Sequence, residues 1–77
     1  MNVEERDHQT AIGWIEGEIE QMIRSLGKPN ASAAATSAIT LAFLLRAIDN
    51  DEHRGYRARI DEIYAVYNKS IKQGAAA

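Results

Sequence analysis

Apolar residues recur along this chain at spacings of three and four, the signature of amphipathic helices. In the first third, Ile12, Ile15, Ile19, Met22, Ile23 and Leu26 form such a stripe, with Ala11 extending it and Trp14 beside it. Glu16, Glu20 and Arg24 take the opposite face, and Glu20 stands four residues before Arg24, a favourable pairing. The pattern predicts a helix over about 3–26. Gly13 and Gly17 interrupt it four residues apart. They read either as surface glycines or as a groove where another backbone comes close.

Leu26-Gly27-Lys28-Pro29-Asn30 is the clearest punctuation. Gly27 suits the position just past a helix, and Pro29 prevents continuation. Asn30 or Ser32 can cap the next helix. The two helices so joined are expected to be antiparallel neighbours.

The second helix is expected over about 31–49. Ser32, Thr36 and Thr40 recur as a polar stripe, and Ala34, Ala38 and Ala42 as a stripe of small residues expected to face the first helix. Leu41-Ala42-Phe43-Leu44-Leu45 is apolar all the way round, which implies burial on every side. One neighbouring helix cannot supply that.

Asp49 to Gly55 reads as a break, because Asp49–Asp51 offers N-cap residues and Gly55 is a weak helix former. The competing reading is one long helix, since Leu41, Leu45, Ile48, Glu52, Tyr56 and Ile60 keep stepping in threes and fours. A last helix is expected over about 51–72, with Tyr56, Ile60, Ile63, Tyr64, Tyr67 and Ile71 as its stripe and a frayed tail over 74–77. No run alternates with the period of a strand. The expected fold is all-α: an antiparallel helical hairpin plus a third helix, a small three-helix bundle in one domain over 1–77.

Composition alters this picture in one respect. The chain has 77 residues and no cysteine. Of its hydrophobic residues, 13 are alanine and only 22 are larger. A domain this small buries only about 60% of its unfolded surface, and neither disulfides nor thiolate metal sites can assist. Yet the large residues concentrate at Leu41–Leu45 and on the last helix, more than one chain can cover there. The thin core therefore argues for a homo-oligomer, with Trp14, Leu41, Phe43, Leu44, Tyr64, Val66 and Tyr67 as interface candidates.

Charge narrows the function classes. Net charge is −2 and the pI is near 5.6, unlike the basic face of a dedicated nucleic-acid binder. Residues 1–27 carry a net charge of −4. Lys28, Arg46, Arg54, Arg57 and Arg59 supply the alternative reading, a site for nucleic acid or an anionic ligand, with Tyr56 available for stacking. Asp49, Asp51, Glu52, Asp61 and Glu62 crowd the same stretch and can neutralise the arginines. The acidic start, Met1 to Asp7, is not a secretory signal. The longest uncharged run, Pro29 to Leu45, has 17 residues, mostly Ala, Ser and Thr, and falls short of a membrane span. A cytoplasmic protein is expected.

Candidate chemistry is sparse. Glu5-x-x-His8 is half of a carboxylate-bridged dimetal motif, but only one copy exists. Asp49-x-Asp51 fails the calcium-loop spacing, because Arg54 and Ile60 stand where glycine and glutamate belong. Gly27-Lys28 lacks the earlier glycine and the preceding strand of a phosphate loop. Ser32, Ser37 and Ser70 have no evident His–Asp partners. No enzyme, metal or cofactor is expected. The expected function is a small protein–protein interaction module, a regulator, inhibitor or adaptor.

Overall fold

The computed structural model describes the backbone of residues 2–76 and the side chains through Ile71. It is all-helical, with α1 over Val3–Arg24, α2 over Ala33–Leu44 and α3 over Asn50–Ala76. No strand occurs among the described residues.

The start of α1 is capped by Asn2, whose side chain accepts the Glu5 backbone N–H at 2.7 Å. Glu4 and Glu5 add acidic charge where the helix dipole favours it. The helix stops at Arg24, two residues short of expectation, with Ser25 as its C-cap. Gly27 does not hold the left-handed conformation expected of it, for no glycine has positive φ. Its missing Cβ serves packing instead: a Cβ there would lie 3.1 Å from the Tyr67 hydroxyl. Asn30 takes the left-handed conformation, at φ 61°. Ser32 flanks α2 without a side-chain cap bond.

The second helix is shorter than expected, and its end is the main departure. Arg46 sits at φ 61°. The Arg46 N–H donates to the Phe43 carbonyl at 3.0 Å and the Ala47 N–H to the Ala42 carbonyl at 2.8 Å. That pair of bonds is a Schellman closure, with arginine in the place glycine usually takes. It turns the chain sharply after Leu45.

The next start is built by a capping box. Asp49 Oδ1 accepts the Glu52 N–H at 2.8 Å, and Glu52 Oε1 accepts the Asp49 N–H at 2.9 Å. Two otherwise unpaired donors are satisfied reciprocally. Residues 45–49 are therefore a break between two helices, not a passage within one.

Ile15, Ile19 and Met22 of α1, Ala35, Ile39 and Ala42 of α2, Ile48 and Ile60 form the buried core. The stripe that α2 turns inward is Ala35–Ile39–Ala42, not Ala34–Ala38–Ala42. Ala34 is exposed and Ala38 only half-buried. Ile39 decides the face, because burying it rotates Ala34 outward on a 3.6-residue helix.

The C-terminal end of α2 shares a recess with Glu4 and His8, so α2 runs back along α1. Glu52 Oε2 lies 2.6 Å from His8 Nε2, Arg59 donates to Glu16, and Tyr67 reaches Gly27. These three contacts advance together along both helices, so α3 runs in the same direction as α1. Beyond Tyr67, α3 continues for nine residues, about 13 Å of helix past the α1–α2 pair. The molecule measures 54 × 20 × 19 Å with a radius of gyration of 14.5 Å. A compact chain of this length has a radius near 11.5 Å.

Candidate interaction surface

The α1–α2 pair leaves an open groove of about 800 Å³. Ala11 and Trp14 form its α1 wall, and Ala34, Ala38, Leu41 and Leu45 its α2 wall. Trp14 is 65% exposed, Leu41 55% and Leu45 70%. Glu4, Asp7 and Glu18 give the groove an acidic rim, with Arg46 at one end.

The accessible surface totals 5681 Å². A compact monomer of this mass exposes about 4,650 Å². The excess of about 1,000 Å² goes with the elongated shape of the chain.

The interface candidates fall into two groups. Trp14, Leu41, Leu44 and Val66 are exposed. Phe43, Tyr64 and Tyr67 are half-buried and serve the chain's own packing. The Phe43 ring stacks on His53, centroids 4.4 Å apart and planes 28° from parallel. Tyr64 packs against the core. The expectation that Leu41–Leu45 is buried on every side does not hold within one chain: Ala42 is buried and Phe43 half-buried, whereas Leu41, Leu44 and Leu45 are not. The chain turns away at Arg46 before any neighbour can cover them. Ile23 and Ile71, placed by their spacing on the apolar stripes of α1 and α3, are also exposed, because each lies on the edge of its stripe or beyond the packed pair; Val3 is an exposed apolar residue that the sequence pattern did not single out. A Cβ on Gly13 or Gly17 would meet nothing within 4 Å, so no backbone comes close there.

The basic candidates do not form one face. Arg54 donates to Asp51 at 2.7 Å. Arg59 donates to both carboxylate oxygens of Glu16, at 2.7 and 2.6 Å. That hydrogen bond raises the Arg59 pKa above its ordinary value. Neighbouring Tyr56 is also raised, first by burial and then by the Glu16 charge. Arg57 and Lys28 are exposed. Lys28 follows Gly27, which lies beside Tyr67, thirteen residues from Arg54. That is about 20 Å of helix.

His8 of the Glu5-x-x-His8 motif pairs with Glu52. Among the described residues no group of three or more histidine, aspartate or glutamate side chains is gathered for a metal. No helix among them is long and apolar enough to cross a membrane. Compared with known proteins, the chain matches no family model, no curated protein and no solved structure.

Proposed function

We propose that this chain is a small, non-enzymatic protein–protein interaction module, a three-helix bundle completed by self-association through the apolar surfaces of α2 and α3 together with Trp14. The observation that carries this reading is the groove of about 800 Å³ with Trp14, Leu41 and Leu45 exposed along it. Large contiguous apolar patches on a protein surface mark interaction sites or ligand-binding grooves. A regulator or adaptor role is the use we assign to the same surface. The nucleic-acid alternative is weakened by the ion pairs at Arg54 and Arg59.

The lone tryptophan tests the reading. Trp14 lies on the groove and is mostly exposed in the isolated chain. Self-association removes it from water, so its emission moves to shorter wavelength as concentration rises and returns on dilution. Emission typical of hydrated indole at every concentration contradicts the proposal.

A further inference from the structure

The groove face of α2 has an internal symmetry that specifies its occupant. Ala34, Ala38, Leu41 and Leu45 follow one another at spacings of four, three and four, and all four line the groove. This series reads the same in both directions about a point between Ile39 and Thr40. Under a two-fold axis through that point, position 34 of one copy meets 45 of the other, and 38 meets 41. Each pairing sets an alanine against a leucine. Any two-fold axis makes residue i meet j and j meet i; what this series adds is that both of its pairings set small against large. Leucine against leucine at every level would hold the helices apart, and alanine against alanine would leave voids. Small against large lets the axes approach to the 8–10 Å of packed helices.

We infer that the groove receives a second copy of this chain, with the two α2 helices antiparallel across a two-fold axis and each Leu41–Leu45 edge seated on the partner's Ala34–Ala38 edge. The inference rests on the self-association proposed above and assigns it a face, a direction and a register. Three further observations support it. Ala34 is exposed and Leu45 is 70% exposed, so neither is committed within its own chain. Trp14 stands on the opposite wall of the same groove and is covered by the same approach. The antiparallel arrangement carries Arg46 from the Asp7 end of its own groove toward the Glu18 end of the partner's, placing a cation over an acidic rim. Val66 and the α3 overhang beyond Tyr67 flank this seam and are not part of its register.

The absence of cysteine makes a direct test clean. Positions 34 and 45 are eleven residues apart, about 16 Å along the helix. That separation is beyond the Cα–Cα distance of roughly 4.4–6.8 Å that a disulfide spans. Within one chain they cannot bond. Across the inferred seam, 34 meets 45, whereas 34 and its own mate stay about 16 Å apart. The double variant Ala34→Cys with Leu45→Cys is therefore expected to oxidise to a covalent dimer, and either single variant is expected to stay uncrosslinked. Both sites are exposed, so the helices form without them. Single variants that crosslink as readily as the double variant overturn the register. A double variant that sediments as a dimer but does not crosslink overturns the seam and leaves self-association standing. A double variant and a parent chain that both sediment as monomers overturn both proposals. A size exchange reads the same seam without a covalent trap. Ala34→Leu and Leu45→Ala are each expected to weaken association several-fold, and the pair together to restore it. Losses that simply add in the pair overturn the inference.

Discussion

Replacing Arg46 with glycine is expected to stabilise this protein, and the sign of the effect reports where α2 ends. Arg46 is held at φ 61° by bonds from its own N–H to Phe43 and from the Ala47 N–H to Ala42. A residue with a Cβ pays roughly 1–2 kcal/mol to occupy the left-handed region, and glycine does not. Glycine in turn loses more backbone freedom on folding, which returns part of the gain. Arg46 is exposed, and among the described residues no hydrogen bond or ion pair ties its side chain. The net expectation is about 1 kcal/mol in favour of Arg46→Gly. For a domain of this size that corresponds to a rise in Tm of about 4–8 °C. Thermal and urea unfolding followed by circular dichroism measure it, at a concentration low enough that parent and variant are both monomeric, because Arg46 also faces the partner in the inferred dimer and association shifts apparent stability. Had α2 continued through Arg46 into α3, glycine there would cost about 1 kcal/mol relative to a good helix former. The two architectures thus predict opposite signs. A fall in Tm refutes the helix end described here. Asn30, also at φ 61°, serves as a control with a smaller expected gain, since asparagine tolerates this conformation better than arginine.

Other substitutions test the remaining joints. Ile39 is fully buried at the centre of the core, and Ile39→Ala is expected to cost about 2–5 kcal/mol; total stability for 77 residues is only about 4–12 kcal/mol, so denaturant unfolding should show a loss approaching global unfolding. Asp49→Ala removes one half of the capping box and is expected to cost about 0.5–2 kcal/mol, read as a lower urea midpoint with unchanged m-value. At high pH, Tyr56 sets a sign. Its pKa is raised in the folded chain, by burial first and the Glu16 charge second. Its contribution is present below the unfolded value near 10 and is lost as pH rises through the higher folded value. Stability of the parent is therefore expected to fall as pH passes 10, with a shallower fall in Tyr56→Phe.

Much of the fold is written in the spacing of apolar residues, and the failures have physical causes. Ile15, Ile19 and Met22 are buried as their spacing predicts. The break before α3 is readable because Asp49–Asp51 offers N-cap residues; the reciprocal partner that completes the cap, Glu52, is seen only in the structure. The end of α2 is not readable, because its left-handed residue is arginine, which carries no stop signal. Ala33-Ala34-Ala35 hides which face turns inward, since three equal side chains give no direction. Ile39 settles that question only once its burial is seen. The same rotation brings Ala34, Ala38, Leu41 and Leu45 onto the groove. The surplus of large apolar residues was legible in composition; the face that presents them, and the internal symmetry of that face, required the helix register.

The central claim is that one chain leaves its apolar surface incomplete and a second copy completes it. Sedimentation equilibrium across micromolar concentrations tests this most directly. The account predicts a mass that climbs with concentration from the 8.5 kDa of the protomer toward twice that value. A single species at the protomer mass throughout that range contradicts it.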